Sequence, residues 1–185
     1  MSSMYDDLGE VLFSEEKIAE IVKNMGERIS KDYEGKNLLL VSVLKGSLMF
    51  MADLMRQITI PCSIDFLSVS SYGSGTSTTG EVRILKDLDA SLEGKDVLVV
   101  EDILDSGVTL SYLLKNLSAR KPNSIRLCTF LDKPERRRVN VHADYIGASI
   151  PDEFIVGYGL DYAEKYRNLP FVAVLKPEVY THEKE

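Results

Sequence analysis

Cysteine, histidine and tryptophan are scarce in this chain of 185 residues, which excludes several classes of protein. The sequence has two cysteines, Cys62 and Cys128, two histidines and no tryptophan. Each cysteine lies in an apolar segment, which favours two free thiols in a reducing compartment. A disulfide between them stays possible, although neither composition nor spacing requires one. No Cys/His cluster predicts zinc, and we expect a cytoplasmic protein.

Long hydrophobic runs are also absent. The longest apolar stretch, residues 38–44, is interrupted by Ser42 and is far shorter than the roughly 20 residues that span a bilayer. The first ten residues are acidic and lack the apolar region of a secretory signal. We therefore expect no membrane partner.

Basic residues are fewer than acidic residues in this chain. Twenty-two basic and 29 acidic residues give a formal net charge of −7, which is unfavourable for non-specific nucleic-acid binding. A polyanionic ligand would have to be bound locally, by backbone amides, a metal ion and a few placed cations. The run Arg136-Arg137-Arg138 is interpreted as a solvated loop.

Hydrophobic periodicity predicts an α/β protein. Apolar residues recur at helical spacing after the N-cap candidate Ser14, and 46–57 and 109–119 also favour helices. Short apolar runs that favour strands alternate with these helices, at 37–44, 62–70, 97–101, 125–131, 154–158 and 171–175. This alternation predicts a mostly parallel sheet that helices cover on both faces.

Residues 97–110 carry the strongest functional signal. An apolar, β-branched run is followed by Glu101 and Asp102, and a turn at 105–109 then opens a helix. Ligands of open α/β sheets bind at the carboxyl ends of strands. Backbone amides, hydroxyls and a helix N-terminus suit a phosphate, while the two acids suit sugar hydroxyls or Mg²⁺. The stretch predicts a site for a phosphorylated sugar.

This stretch resembles the phosphoribosyl-pyrophosphate (PRPP) signature of type I phosphoribosyltransferases. The shared pattern is an apolar strand, two acids, two apolar residues and Asp-Ser-Gly-x-Thr. The resemblance implies that Asp105 is the general base and that Glu101 and Asp102 hold the ribose and help bind Mg²⁺. It assigns the phosphate to Ser106, Gly107, Val108 and Thr109. The alternative is an ordinary strand-turn-helix in which Asp105 forms the turn or caps the helix.

Two further blocks narrow the resemblance to hypoxanthine-guanine phosphoribosyltransferases. In that family the turn that matches Lys45-Gly46 contains a non-proline cis peptide and binds pyrophosphate. The block that begins at Ser71-Tyr72 continues into a Gly-rich segment and matches the family's lid. Composition alone would favour a solvated loop at 71–80.

The residues that match the family's purine-binding positions lie in the C-terminal half of the chain. Lys133 matches a lysine that donates to the 6-oxo group, which favours hypoxanthine, guanine or xanthine over adenine. Phe154 would stack on the base and Ile155 would contact its edge through the backbone. Asp161 would help bind Mg²⁺ beside the purine, and Arg167 would contact pyrophosphate.

The resemblance implies a type I phosphoribosyltransferase fold over a single domain, residues 1–185. A mostly parallel sheet flanked by helices would form the core at about 35–143. A small hood would come from about 1–13 and 144–185. The implied reaction joins PRPP to hypoxanthine or guanine in purine salvage, with Mg²⁺ as cofactor. We expect a homodimer or homotetramer that binds no nucleic acid.

Two alternatives stay open at this point. One is a related enzyme that prefers xanthine or accepts only hypoxanthine, because Lys133 suits every 6-oxopurine. The other, from a different class, is a PRPP-sensing regulator on the same fold that binds RNA. The complete catalytic set and the acidic balance argue against the regulator.

Overall fold

A computed structural model describes residues 3–71 and 82–181 of the chain. Its strands are β1 (Leu8–Phe13), β2 (Leu38–Leu44), β3 (Cys62–Ser71), β4 (Val82–Lys86), β5 (Asp96–Leu104), β6 (Ser124–Asp132), β7 (Tyr145–Ser149), β8 (Ile155–Val156) and β9 (Val172–Leu175). Its α-helices are α1 (Glu15–Asp32), α2 (Leu48–Gln57), α3 (Val108–Ser118) and α4 (Pro177–Thr181). Short 3₁₀ helices lie at Met4–Asp7 and Pro134–Arg136.

The larger sheet has six strands in the order β4-β3-β2-β5-β6-β7. Strands β3, β2, β5, β6 and β7 are parallel, and β4 is antiparallel at the edge. The carboxyl ends of β2, β5 and β6 therefore meet at one edge of the sheet. This topology confirms the predicted mostly parallel central sheet with flanking helices.

Apolar residues of β5 face both sides of the sheet, because side chains alternate along a strand. Leu98 and Val100 pack in a cluster with residues of α1 and α2. Val97 and Val99 pack in a second cluster with residues of α3. Burial on both faces explains why the sequence of this strand is continuously apolar.

The smaller sheet joins the two ends of the chain. It has three antiparallel strands in the order β1-β9-β8. A separate apolar cluster that contains Val156, Tyr166, Leu169 and Leu175 packs beside it. Strand β7 follows the predicted core limit at residue 143, yet it pairs in parallel with β6, so the larger sheet extends to Ser149.

Several element boundaries differ from the sequence prediction. Strand β5 continues to Leu104, beyond the predicted end at 101, so Glu101 and Asp102 lie inside the strand. Strands β1, β4 and β7 were not predicted, since they are short edge strands with mixed polarity. Helix α1 has the expected cap, because Ser14 Oγ accepts a hydrogen bond from Lys17 N at 3.3 Å. Within the described ranges, no helix is long and apolar enough to cross a membrane.

Candidate active site

The turn after β2 lies directly against the end of β5. The Leu44–Lys45 peptide bond is cis, as the resemblance implied for this turn. A Cβ added to Gly46 would lie only 1.8 Å from Asp102 Oδ2, so glycine allows the acid to approach the backbone. Gly159 faces Gly46 from the other side, since a Cβ there would lie 2.1 Å from the Gly46 carbonyl oxygen.

Two buried serines hold the same turn in place. Ser42 Oγ and Ser47 Oγ lie 2.7 Å apart, and Ser47 also donates to the Val43 carbonyl oxygen. Both side chains are fully buried. The sequence prediction began a helix at residue 46, but α2 begins at Leu48, because the segment before it forms this braced turn. Ser42, a serine within an otherwise apolar strand, is the sequence feature that could have indicated this serine pair.

Glu101 and Asp102 form a partly buried acid pair. Asp102 N donates to Glu101 Oε2 at 3.2 Å, and Ile103 N donates to Asp102 Oδ1 at 2.7 Å. Desolvation, followed by the negative charge of Asp102, raises the pKa of Glu101 well above its usual value. Desolvation also raises the pKa of Asp102, against the opposing effects of the Ile103 amide and the Arg167 charge. Such a pair is stabilised by hydroxyl donors or by a cation.

The turn at 105–107 leads into the open N-terminus of α3. Gly107 is the N-cap, with φ +79°, and it has no side chain that could accept a hydrogen bond from the first helical amides. Val108 is the first helical residue, and its amide donates a hydrogen bond to Ser106 Oγ at 3.4 Å. A cavity of about 140 Å³ opens here, lined by Glu101, Ile103, Asp105, Ser106, Gly107, Thr109 and Leu110. Exposed amides and hydroxyls at a helix N-terminus suit a phosphate.

A larger cavity, of about 450 Å³, adjoins the first. It is lined by Ile103, Asp105, Lys133, Arg136, Asp152, Glu153, Phe154, Ile155, Leu160, Asp161 and Tyr180. The two cavities share Ile103 and Asp105. Asp105 therefore lies between a space suited to a phosphate and a space large enough for a planar heterocycle.

Lys133 is the buried cation of the larger cavity. Its exposed fraction is 8%, its ammonium donates to the Glu153 carbonyl oxygen, and Asp152 Oδ1 lies 3.9 Å from Nζ. Burial lowers the pKa of Lys133, and the charges of Asp105 and Asp152 partly oppose that shift. A lysine in this setting can donate to a carbonyl oxygen of a ligand.

Aromatic rings form one wall of the larger cavity. Phe154 stays 40% exposed although it stacks on Tyr180, with centroids 4.9 Å apart and planes tilted by 24°. Tyr162 meets Phe154 edge-on at 5.5 Å. Ile155, next to Phe154, is buried. Sequence reasoning missed Tyr180, which only the folding of α4 beside Phe154 brings to the site.

The arginine run, interpreted as a solvated loop, is exposed at Arg136 and Arg138 but partly buried at Arg137, and its first two side chains pair with acids at the site. Arg136 Nε lies 3.0 Å from Asp105 Oδ1, and Nη1 lies 3.5 Å from Asp152 Oδ2. Arg137 pairs with Asp132 and donates to the carbonyl oxygens of Leu104 and Asp105. The turn after β6 packs against the turn after β5, which brings these side chains to the site.

Arg167 and Lys45 both pair with Glu164, and Arg167 also pairs with Asp161. Arg167 Nη2 is 2.9 Å from Asp161 Oδ1 and 3.0 Å from Glu164 Oε1, and its Nη1 donates to the Gly159 carbonyl at 2.8 Å. Lys45 Nζ lies 2.8 Å from Glu164 Oε2. Two cations from distant parts of the chain therefore meet at one carboxylate.

The three acids expected to bind Mg²⁺ do not form one ligand cluster. Among the residues that the structure describes, no group of three or more His, Cys, Asp or Glu side chains is arranged to hold a metal ion. Asp161 is engaged by Arg167, whereas Glu101 and Asp102 adjoin each other on β5. Mg²⁺ often takes one or two carboxylates and completes its shell with water and phosphate oxygens. Either carboxylate group fits a Mg²⁺ ion that binds together with a phosphorylated ligand.

The segment predicted to form a lid lies almost wholly outside the residues that the structure describes. Ser71 is the last residue of β3, and Tyr72 lies outside the described residues, as does the rest of the Gly-rich segment to residue 80.

Both cysteines are free, as expected; Cys128 is buried and Cys62 is partly exposed.

Known proteins resemble this chain over nearly its full length. The sequence profile of the phosphoribosyl transferase domain matches residues 10–163. A hypoxanthine-guanine phosphoribosyltransferase of Staphylococcus aureus (strain Mu50) is 55% identical over 97% of this chain and 100% of its own length. The crystal structure of a hypoxanthine phosphoribosyltransferase from Staphylococcus aureus has a TM-score of 0.94 at 56% identity and covers 97% of this chain and 98% of its own. A hypoxanthine-guanine phosphoribosyltransferase structure from Bacillus anthracis has a TM-score of 0.88 at 53% identity, covering 91% and 99%.

Proposed function

The chain belongs to the phosphoribosyl transferase domain family, and we propose that the two cavities that meet at Asp105 form its active site. The protein transfers the 5-phosphoribosyl group of PRPP to hypoxanthine or guanine, which gives IMP or GMP and pyrophosphate in purine salvage. The position of Asp105 between the two cavities is the observation that carries this assignment.

The smaller cavity would hold the ribose 5-phosphate. The amides at the start of α3 and the hydroxyls of Ser106 and Thr109 would donate to the phosphate oxygens, and Gly107 and Val108 would contribute backbone amides. Glu101 and Asp102 would accept hydrogen bonds from the ribose hydroxyls. Hydroxyl donors would reduce the repulsion that the acid pair experiences.

The larger cavity would hold the purine. Phe154 would stack on the ring, Lys133 would donate to the 6-oxo oxygen, and the backbone at Ile155 would contact the ring edge. Asp105 would accept the proton from the attacking ring nitrogen, because its carboxylate lines both cavities. Arg136, 3.0 Å from Asp105, would keep this carboxylate oriented between the substrates.

The diphosphate would bind at the turn after β2. Lys45 and Arg167 would supply positive charge, and the backbone at Gly46 would allow close approach of an oxygen. Asp161, or Glu101 and Asp102, would hold a Mg²⁺ ion bound together with PRPP. Bound there, the ion would neutralise charge on the leaving group.

Ser71 and Tyr72 would begin a lid that excludes water from the reacting centre. Residues 1–185 would form one domain whose core is the six-stranded sheet and whose hood is built around the three-stranded sheet. We propose a cytoplasmic homodimer or homotetramer that binds no nucleic acid. Neither the xanthine-preferring enzyme nor the RNA-binding regulator is favoured by the relatives.

Steady-state rates with hypoxanthine, guanine, xanthine and adenine, each at saturating PRPP and Mg²⁺, test this function. Hypoxanthine and guanine, the bases in the name of the relative, should give the highest kcat/KM. Adenine should give the lowest, because Lys133 pairs with a 6-oxo group and would leave the 6-amino group of adenine without an acceptor. Dominant use of adenine would contradict the proposed role of Lys133. Dominant use of xanthine would favour the related enzyme instead.

A further inference from the structure

Glu164 bridges the two cations that the proposed function gives to the diphosphate. Its Oε2 lies 2.8 Å from Lys45 Nζ and its Oε1 lies 3.0 Å from Arg167 Nη2. Each carboxylate oxygen thus takes one cation, as two oxygens of a diphosphate would. Lys45 and Glu164 are separated by 119 positions in the chain, so the tertiary fold creates this contact.

The backbone around Glu164 is held in a tight hairpin turn. Tyr162 and Lys165 exchange backbone hydrogen bonds of 3.2 and 3.0 Å across Ala163 and Glu164. These two central residues have φ of +50° and +61°, the left-handed region that such a turn requires at both positions. Glycine and asparagine adopt that region far more readily than alanine or glutamate. Asp161 Oδ2 further fixes the turn by accepting a hydrogen bond from Glu164 N at 2.9 Å.

The Lys45–Glu164 pair contributes little to folding stability. The side chains of Lys45 and Glu164 are 67% and 63% exposed. Ion pairs at that exposure contribute little because water screens them and ordering two long side chains is unfavourable. Neither the conformational preference of the turn nor the stability gained from the ion pair therefore explains why residue 164 is a glutamate.

We propose that Glu164 competes with the diphosphate for Lys45 and Arg167 and thereby sets how readily pyrophosphate leaves the site. This inference rests on the proposed function, which places the diphosphate at these two cations. When PRPP binds, its diphosphate oxygens take over the ammonium and the guanidinium, and the Glu164 carboxylate turns to solvent. When pyrophosphate leaves, Glu164 takes the cations again, so the departing anion is exchanged for a carboxylate.

Pyrophosphate affinity measured by calorimetry in the presence of Mg²⁺ tests this competition. Glu164→Gln keeps the shape of the side chain and removes its charge, so pyrophosphate should bind about three- to tenfold more tightly. Release of pyrophosphate in stopped flow should slow by a similar factor. Glu20→Gln is the matched control: its carboxylate is also exposed and lies 2.8 Å from a lysine, Lys17, on the outer face of α1. This control should leave the affinity unchanged.

A second variant separates failure of the inference from failure of the proposed site. Lys45→Ala should weaken pyrophosphate binding, and in Lys45→Ala/Glu164→Gln the tightening caused by the loss of Glu164 should shrink. If Lys45→Ala weakens pyrophosphate binding but Glu164→Gln leaves the affinity unchanged or lowers it, Glu164 does not compete with the diphosphate. The proposed placement of the diphosphate is then still supported. If Lys45→Ala has no effect, the placement of the diphosphate is wrong, and the inference falls with it.

Discussion

Gly46 and Asp102 are in contact across the carboxyl edge of the larger sheet, and a single Cβ at position 46 would lie 1.8 Å from Asp102 Oδ2. The turn proposed to bind the diphosphate and the acid proposed to bind the ribose are therefore packed as one unit. PRPP carries both groups on adjacent parts of one molecule, so in the proposed site this contact would set their spacing.

Gly46→Ala should impair PRPP use without unfolding the protein. The added methyl group meets the end of a side chain, so Asp102 must move away from its position in the site. We expect kcat/KM for PRPP to fall at least about tenfold, since small displacements in a preorganised site strongly reduce rates. Gly9→Ala is the control, because its Cβ would meet nothing closer than 3.5 Å. Wild-type kinetics in Gly46→Ala would show that Asp102 tolerates displacement.

Asp105→Asn should lower kcat and retain PRPP binding. The variant keeps the shape of the residue between the two cavities but removes the proton acceptor. General base catalysis contributes about 10²–10⁴-fold, so we expect a loss of kcat in that range, with the Kd for PRPP changed only slightly. Asp152→Asn removes the other carboxylate that pairs with Arg136 and should affect kcat far less. Full turnover in Asp105→Asn would refute the base assignment.

Lys133→Met should reduce discrimination between purines. Methionine preserves most of the buried stem and removes the ammonium that would bind the 6-oxo oxygen. Hydrogen bonds to charged groups are worth about 1.5–3 kcal/mol, so kcat/KM for hypoxanthine and guanine should fall about 10- to 100-fold. The rate with adenine should not fall. Lys115→Met, in the exposed last turn of α3, provides the control, and equal losses for all four purines would argue for a structural role of Lys133.

Glu101→Gln should stabilise the protein at neutral pH while weakening PRPP binding. Burial and Asp102 raise the pKa of Glu101 above its usual 4.5 in the folded state. Between 4.5 and that higher value the folded state binds more protons than the unfolded chain, so stability falls as pH rises through this window. Glutamine removes the penalty, and Tm at pH 7 should rise by about 2–4 °C for each kcal/mol relieved.

Thermal unfolding of wild type and Glu101→Gln from pH 4.5 to 8 measures this effect. The difference in Tm should shrink toward the acidic end, where wild-type Glu101 is itself protonated. Glu93→Gln, which neutralises an exposed carboxylate in the turn before β5, should show no such trend. A lower Tm for Glu101→Gln at pH 7 would mean that the Glu101 carboxylate stabilises the fold.

Local sequence was sufficient for the parts of the site that lie within one strand-turn-helix unit. The apolar run of β5, the acid pair and the turn to Thr109 are close in the chain, so their arrangement follows from local geometry. The same holds for Ser14, which caps α1 as predicted. Edge strands such as β4 escaped prediction, because one exposed face gives no continuous apolar run.

Sequence, read locally and through the family resemblance, therefore predicted the chemistry offered at each turn: a helix start suited to a phosphate, a carboxylate proposed as the base and a lysine suited to an oxo group. Only the tertiary structure decided which distant groups act together. The parallel order of β2, β5 and β6 brings Gly46 to Asp102 and Arg136 to Asp105, and the packing of α4 brings Tyr180 to Phe154. These contacts depend on strand order and packing between segments far apart in the chain, which no local pattern of residues specifies.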